Sequence, residues 1–266
     1  MDHWTATPPL RSAIGEGDPY EWLDAREGDA FRHKDGRRTF RFEHGGNHYF
    51  AKVQSGVGIN EAVKELASLR TPPLDASREV RALTRLAEAG VRAPKLAGWG
   101  VRSRGPLRRR SFVITEDVGT QRTLGDVAEA LPSGAAADRM RLLEEVGQLT
   151  AQMHAAGVNH RDLYFGHILV RGSTQGTRDL VLIDLHRAQV WKRIPKRWIA
   201  KDLGTLTFAA QPFRLSRTER LRFLIAYTGD RQEAQALWQS ALARAVLARV
   251  DRINAERIRK GDDFGG

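Results

Sequence analysis

Two aspartates flank a predicted β-hairpin in the second half of the chain. Apolar runs at residues 168–170 and 180–183 border a segment rich in Gly, Ser and Thr, which is the pattern of a hairpin. Asp162 stands shortly before the first run, and Asp184 directly follows the second. Because a hairpin returns to the edge it left, we expect both carboxylates to open into one cleft. One could orient a hydroxyl while the other holds a magnesium ion, as phosphoryl transfer requires.

The residues around both aspartates match motifs of protein kinases. Residues 160–162 read H-R-D, the form of a catalytic loop, and residues 184–186 occupy the place of the D-F-G metal site. His167 stands where protein kinases place a metal-binding asparagine. H-R-D alone is a weak signal, but the ordered combination is much stronger. The alternative is a surface hairpin that carries acids at its ends.

A predicted three-stranded meander in the first half carries a candidate phosphate-binding lysine. Strands are expected near residues 30–31, 39–42 and 49–53, with turns between them. Lys52 lies on the third strand, where a kinase keeps the lysine of V-A-I-K. That lysine pairs with nucleotide phosphates and with a helix glutamate. An ordinary exposed strand lysine is the alternative.

Glu79 is the expected ion-pair partner of Lys52. A helix predicted over residues 75–89 carries Glu79 and comes directly before the next predicted strand. This order of elements favours it over Glu61 and Glu65, which lie on an earlier predicted helix. A solvated helix glutamate is the alternative.

The loop that should cover the phosphates departs from the kinase pattern. A protein kinase has three glycines in this loop. Here Gly36 stands alone and is followed by Arg37 and Arg38. Guanidinium groups could replace the missing backbone contacts by bidentate hydrogen bonding. A solvated basic turn is an equally good interpretation.

The next predicted strands are separated by a basic segment. Residues 101–111, VRSRGPLRRRS, contain five arginines and no acid, and are predicted to form a loop that could meet phosphate or anionic lipid. The apolar run at 112–115 then predicts a buried strand. Backbone groups of Glu116 and Val118, at its end, are expected to bind the adenine edge on the basis of position alone.

The segment after Asp184 is strongly basic. Residues 187–201, RAQVWKRIPKRWIAK, hold six Lys or Arg, no acid and two tryptophans. Such a segment suits a phosphorylated glycolipid or membrane headgroups, and it also suits a nucleic-acid groove. The residues proposed for this anionic surface are Arg187, Arg193, Lys196 and Arg197.

Helices are predicted for much of the remaining chain. They cover residues 124–131, 137–156 and 217–260. Asp202 is predicted to begin another helix and, with His160, to support the catalytic loop, Asp202 by accepting its backbone amides. His154 is interpreted as a core or capping histidine. The apolar residues expected in the core of the last segment are Leu237, Trp238, Leu242 and Val246.

Composition and charge restrict the class of protein. The chain has 266 residues and no cysteine, which excludes disulfides and thiolate metal sites. The net charge of +11 predicts an anionic partner. Neither a signal peptide nor an apolar run of membrane-spanning length is recognised. We expect an N-terminal irregular leader ending in a short helix over residues 1–28, a β-rich lobe over 29–118 and a helical lobe over 119–266, together one kinase-like unit.

Three runs resemble the lipopolysaccharide core heptose(I) kinases of Gram-negative bacteria. They are GVNHRDLYFGHILV, LVLIDLHRAQ and PKRWIAKDL, and the runs REVRALTRLAEAGVRAPKLAGWG and SFVITED resemble the amino-terminal lobe of the same family. The resemblance implies an α+β, bilobal protein-kinase-like fold. It also implies transfer of the γ-phosphoryl group of ATP to a heptose hydroxyl, at the cytoplasmic face of the inner membrane.

The resemblance assigns roles to individual residues. Asp162 would be the base, Asp184 a Mg²⁺ ligand and Lys52 the lysine that binds phosphate. The family also carries a histidine at the position of His167, where an imidazole is a poorer magnesium ligand than a carbonyl oxygen. His167 could instead bond to Asp162 or to a phosphate.

Other acceptors and functions remain open at this point. A Kdo kinase or a protein kinase of the same fold is one alternative, although only 17 positions separate Asp184 from Asp202 and no A-P-E follows. A catalytically inactive kinase fold that binds an acidic partner is another. The expected partners are the inner-core glycolipid, the inner membrane surface and, less favoured, an acyl carrier protein; nucleic acid is disfavoured.

Overall fold

The chain forms two compact units. The computed structural model describes residues 2–26, 29–34, 37–55, 76–103, 109–132, 134–172 and 178–260. The first unit comprises Met1–Thr84, Pro94–Val118 and Leu185–Arg187, and the second comprises Arg85–Ala93, Gly119–Asp184 and Ala188–Gly266. A β-sheet dominates the first and helices dominate the second. The prediction of an α+β fold is confirmed.

A six-stranded antiparallel sheet forms the first unit, in the order β1-β5-β6-β4-β3-β2. Its strands are β1 (Asp2–Ala6), β2 (Asp29–Lys34), β3 (Arg37–His44), β4 (Asn47–Ser55), β5 (Leu96–Ser103) and β6 (Arg109–Glu116). The alternating residues Phe40 and Phe42 of β3 are buried in one core with Phe112 and Ile114 of β6. The predicted meander is confirmed.

Residues 2–26 are more regular than expected. β1 pairs antiparallel with β5, and two short helices follow, α1 (Pro8–Ile14) and α2 (Pro19–Asp24). Leu10, Tyr20 and Leu23 are almost completely buried. The short helix expected at the end of this segment is present as α2. The prediction that the residues before it are irregular was wrong, because β1 is short and its partner strand lies far along the chain.

The basic segment at residues 101–111 is also more regular than expected, since β5 continues to Ser103 and β6 begins at Arg109. Arg102 and Arg110 face each other across these two strands.

Those two arginines form ion pairs with carboxylates at the start and end of α2. Arg102 forms an ion pair with Asp18 at 2.8 Å, and Arg110 forms one with Asp24 at 2.5 Å. Both guanidinium groups also lie over the ring of Tyr20, at 4.2 and 5.1 Å from its centroid. The expectation that this segment is a basic loop open to phosphate or lipid is therefore wrong for these two arginines, because period-two alternation brings both to one face of the sheet.

The next described element after residue 55 is a helix. This helix, α3 (Ser77–Glu88), buries Val80, Leu83 and Leu86, the apolar face that the sequence predicts. The earlier predicted helix at residues 58–70, with Glu61 and Glu65, lies outside the described residues.

Six helices of 7 to 20 residues and two short sheets lie entirely within the described part of the second unit. The helices are α4 (Leu124–Ala130), α5 (Ala136–Ala155), α6 (Lys196–Ala209), α7 (Arg217–Thr228), α8 (Arg231–Gln239) and α9 (Ala241–Lys260). The predicted hairpin is present as β8 (Ile168–Gly172) paired with β9 (Arg178–Leu182), and β7 (Val158–Asn159) pairs with β10 (Gln189–Val190). None of the described helices is long and apolar enough to cross a membrane.

Helix α6 begins earlier than expected. It starts at Lys196 after Pro195, so that Asp202 lies within the helix rather than at its start. The prediction of the helix start at Asp202 was wrong because α6 has no Ser, Thr, Asp or Asn at its N-cap to mark the boundary.

The apolar residues of α8 and α9 are less buried than expected. Trp238 is 39% exposed, and Leu237, Leu242 and Val246 are only half-buried. These four side chains line an apolar cavity of about 660 Å³ within the second unit. Their assignment to a filled core was wrong because the apolar faces of neighbouring helices leave this space between them.

Candidate active site

The loop that carries Asp162 is held by a buried carboxylate of α6. Asp202 has no exposed surface, and it accepts the backbone N–H of His160 at 2.8 Å through Oδ2 and that of Arg161 at 2.6 Å through Oδ1. Arg161 has a φ of 70°, in the left-handed region that non-glycine residues seldom adopt. The hydrogen bonds that the sequence analysis expected from Asp202 are present, and they hold this unusual backbone immediately before Asp162.

A histidine and a tyrosine extend this network. His154 Nε2 lies 3.3 Å from Oδ2 of Asp202, and its Nδ1 lies 2.8 Å from the hydroxyl of Tyr227. Burial, together with the nearby Asp202 charge, raises the pKa of Tyr227 to about 12, so that the phenol keeps its proton. The phenol then donates to Nδ1 of His154, and Nε2 of His154 donates to Asp202.

His160 connects the catalytic loop to the segment before Asp184. Its side chain is buried, and Nε2 donates to the carbonyl of Ile183 at 2.9 Å. Burial lowers the pKa of His160 below its usual value of 6.5. A neutral imidazole therefore fixes the backbone preceding Asp162 to the backbone preceding Asp184.

His167 contacts both aspartates. Its Nδ1 donates to the backbone carbonyl of Asp162 at 2.7 Å, and its Nε2 lies 3.7 Å from Oδ2 of Asp184. The ring stacks on that of His160 with centroids 5.7 Å apart. Of the roles considered for His167, a bond to Asp162 is the one present. Asp184 itself has a φ of 59°.

The acidic groups fit a metal ion that binds together with a nucleotide. Within the described residues there is no group of three or more His, Asp or Glu that could hold a metal on its own. The side chain of Asp184 is 29% exposed. Because Mg²⁺ is commonly bound by one or two carboxylates, phosphates and water, one accessible carboxylate fits a Mg–nucleotide complex.

Lys52 and Glu79 form an ion pair in the first unit. Lys52 Nζ donates to Glu79 Oε1 at 2.7 Å, and the side chain of Glu79 is 8% exposed while that of Lys52 is 27% exposed. The pairing chosen from the order of elements is thus present. Glu79 fixes the ammonium group of Lys52, which keeps a surface that a ligand can reach.

The structure describes only some of the other residues predicted to contact the nucleotide. Gly36 and the side chain of Arg37 lie outside the described residues. Glu116 ends β6, and its backbone N–H already donates to the carbonyl of Lys95 at 2.9 Å, so that this donor is not available to adenine. Val118 follows in irregular structure.

The predicted anionic surface does not fall into one unit. Arg187 lies in a short 3-10 turn, Leu185–Arg187, which belongs to the first unit. Arg193, Lys196 and Arg197 are exposed in the second unit.

Comparison with known proteins supports the interpretation of this site as that of a kinase. A profile of the lipopolysaccharide kinase (Kdo/WaaP) family matches residues 21–227. The chain belongs to this family, which confirms the resemblance and the prediction of a phosphotransferase. Kinases of this family use ATP.

Particular relatives span most of the chain. The lipopolysaccharide core heptose(I) kinase WaaP of Pseudomonas aeruginosa is 39% identical over 224 residues, covering 82% of this chain and 84% of the relative. The protein of the same name from Escherichia coli K12 is 35% identical over 259 residues, covering 95% of this chain and 97% of the relative. A solved structure, WaaP in complex with acyl carrier protein, has a TM-score of 0.78 and 31% identity, and covers 96% of this chain and 98% of that one.

Tyr227 is a site-supporting residue that the sequence analysis missed. It lies on α7, 73 residues after its partner His154. A tyrosine in a helix has no local signal that distinguishes it from a packing residue. Only the fold brings it to the network behind the catalytic loop.

Proposed function

We propose that this protein is an ATP-dependent kinase that phosphorylates a heptose hydroxyl of the lipopolysaccharide inner core. The observation that carries the chemistry is that His167 contacts the backbone of Asp162 and the carboxylate of Asp184. The choice of acceptor is supported by the heptose(I) kinases to which the chain is 35% and 39% identical.

Asp162 acts as the base in this proposal. Its carboxylate accepts the proton of the acceptor hydroxyl and orients the oxygen for in-line attack on the γ-phosphorus. The Asp202 hydrogen bonds and the His167 contact fix the backbone on either side of this carboxylate, which reduces the cost of positioning the nucleophile.

Lys52 and Glu79 serve the nucleotide. The ammonium group of Lys52, oriented by Glu79, binds phosphate oxygens and stabilises their negative charge. Gly36, Arg37, the backbone carbonyl of Glu116 and backbone groups of Val118 are proposed as further nucleotide contacts. Asp184 would hold the Mg²⁺ ion, which supplies charge neutralisation at the phosphates when it is bound.

The basic segment around α6 is proposed to meet the acceptor at the cytoplasmic face of the inner membrane. Arg193, Lys196 and Arg197 are exposed there, and Arg187 is proposed to contribute as well. An acyl carrier protein is a further proposed partner, because the solved relative is in complex with one. An acidic protein also suits a chain with a net charge of +11.

The direct test is transfer of radiolabelled γ-phosphate from ATP-Mg to dephosphorylated inner-core lipopolysaccharide. Wild-type protein should label heptose, and Asp162→Asn should lose at least about a hundredfold in kcat because general-base positioning is lost. Nucleotide binding should persist in the variant. Asp251→Asn, on an exposed part of α9, is the matched control and should keep full activity.

Two outcomes would contradict the proposal. Equal turnover by wild type and Asp162→Asn would remove Asp162 from the mechanism. Label found only on protein would favour a protein kinase.

A further inference from the structure

Four exposed cations lie just before and at the start of α6. They are Lys192, Arg193, Lys196 and Arg197, and within the described part of the chain none of them forms an ion pair with a carboxylate. Two other arginines of this unit are paired, Arg139 with Glu219 and Arg178 with Glu145, both at 2.8 Å. The charge at α6 is therefore left for an external partner.

The start of α6 also runs against helix stability. Its first turn holds Lys196 and Arg197 and no acid. Cations near a helix N-terminus oppose the macrodipole. Sequence choices that lower stability without a local gain are expected at functional sites.

Trp198 is the centre of a group of cations. The guanidinium carbon of Arg161 lies 4.8 Å from its ring centroid, that of Arg197 lies 5.4 Å away, and Nζ of Lys201 lies 5.7 Å away. The indole N–H of Trp198 is buried and donates to no atom of the described residues. We call Arg161, Arg197, Trp198 and Lys201 the Trp198 cluster.

The Trp198 cluster is directly connected to the proposed base. Arg161 immediately precedes Asp162, and Lys201 immediately precedes Asp202, which fixes the catalytic loop. A group bound by the cluster is thus held by the same backbone that holds Asp162. Because the acceptor hydroxyl must reach Asp162, this cluster belongs with the acceptor rather than with the nucleotide.

We infer that the Trp198 cluster binds an anionic group, carboxylate or phosphate, already present on the saccharide acceptor, and thereby selects acidic saccharides as substrates. This inference rests on the proposed function and adds the recognition element of the acceptor. Guanidinium groups bind carboxylate and phosphate by paired hydrogen bonds.

Acceptor kinetics with lipid-free inner-core oligosaccharide test the inference. Arg197→Gln, Lys201→Gln and Trp198→Leu should each raise the KM for the saccharide about tenfold and leave the KM for ATP unchanged. Arg252→Gln, which removes the same charge from an exposed position of α9, is the control and should change neither constant. An unchanged saccharide KM in the three variants would overturn the inference.

A second acceptor identifies the group that is bound. This acceptor is the same oligosaccharide with its phosphates removed and its carboxyl groups reduced to alcohols. The KM of the wild-type protein for it should equal the KM of Arg197→Gln for the unmodified oligosaccharide. Arg197→Gln should then have no further effect, since its partner is already absent. A tenfold increase in the saccharide KM on Arg197→Gln, measured with the neutral saccharide, would also overturn the inference.

Two further measurements separate this inference from its alternatives. Binding of the acidic oligosaccharide, followed by calorimetry, does not depend on turnover, so that it tests the cluster even if heptose is not phosphorylated. Equal Kd values for wild type and variants would contradict it. Vesicles containing phosphatidylglycerol test the other source of anions: a loss of vesicle binding with an unchanged saccharide Kd would assign the cluster to the membrane.

Discussion

At the scale of single residues, the contacts behind the catalytic loop matter as much as Asp162 itself. Asp202 accepts hydrogen bonds from two backbone amides of that loop, and His154 donates to the same carboxylate. Tyr227 closes the network at its far end. Each group limits the orientation of the next, so the position of the base depends on a side chain that touches neither substrate.

Tyr227→Phe should therefore act on catalysis rather than on binding. Without the phenol O–H, Nδ1 of His154 has no hydrogen-bond donor, and Asp202 is held less firmly. We therefore expect kcat to fall by about three- to tenfold, which corresponds to the free energy of one hydrogen bond. The KM values for ATP and acceptor should stay within about twofold of wild type. Steady-state kinetics with both substrates measure this difference.

Thr228→Val is the matched control for Tyr227→Phe. It removes a neighbouring hydroxyl of α7 that bonds only to carbonyl groups of its own helix and turn. If both variants lower kcat equally, the effect belongs to α7 as a whole and not to the link with His154.

His160 predicts a dependence of stability on pH. Its pKa is lowered in the folded protein by burial, so that the unfolded chain binds the proton more readily below pH 6.5. The contribution of neutral His160 is fully present above that pH and is lost as the pH falls towards the folded-state pKa. Urea unfolding at several pH values should show the free energy of unfolding decreasing below pH 6.5, with a smaller slope in His160→Gln; equal slopes would contradict the assignment.

The motif residues were predictable because their chemistry fixes their spacing along the chain. Asp162, His167 and Asp184 lie around one hairpin, and Lys52 is identified by its strand. The bond from His167 to the backbone of Asp162 was among the options considered, but the sequence could not choose it. Tyr227 could not be predicted, because its partner is far away along the chain and any helix can carry a tyrosine.

At the scale of elements, helices α5 and α7 show how the second unit is fixed by polar contacts at its helix ends. Ser216 caps α7 by accepting the N–H of Glu219 at 3.2 Å, and the carboxylate of Glu219 accepts the backbone N–H of Ser216 at 2.8 Å. Glu219 also pairs with Arg139 of α5 at 2.8 Å. One carboxylate thus serves the capping box and joins two helices.

Ser216→Ala should lower stability without changing the chemistry. Loss of the cap is worth about 1 kcal/mol, which corresponds to a decrease in Tm of about 2–4 °C for a domain of this size. Thermal unfolding followed by circular dichroism measures the change. Thr218→Ala, an exposed position in the same turn, is the control and should have little effect; equal losses in both variants would show that the cap is unimportant.

Most elements were predictable where a periodic apolar pattern met a recognisable end. The hairpin β8–β9 has apolar strands around a turn segment, and α5 ends near Gly157, whose φ is 78°. The early start of α6 was not predictable because Pro195 is its N-cap. β1 was missed because a five-residue strand depends entirely on β5 for its hydrogen bonds.

At the scale of the whole molecule, nucleotide binding should be visible in global stability. A ligand that binds only the folded state stabilises it by about 2.7 kcal/mol at a concentration of 100 times Kd. The ion pair of Lys52 with Glu79 presents the cation proposed to bind phosphate. The Tm of wild-type protein should therefore rise in saturating ATP-Mg.

Lys52→Met should lose most of this rise at the same nucleotide concentration. Asp162→Asn should keep it, because that carboxylate is assigned to the acceptor. Lys260→Met, at the exposed end of α9, is the control for removal of one lysine charge. Thermal shift measurements with and without ATP-Mg give the increase in Tm for each variant. An increase in Lys52→Met as large as in the wild type would remove Lys52 from the nucleotide site.

The N-terminal strand has a practical consequence. β1 covers the backbone edge of β5 over five residue pairs, from Asp2 with Arg102 to Ala6 with Gly98. A recombinant protein that starts after Ala6 would expose that edge to other chains, and unpaired edge strands promote aggregation. An affinity tag is therefore better attached at the C-terminus, and truncation of this protein from its N-terminus should be judged by solubility before activity.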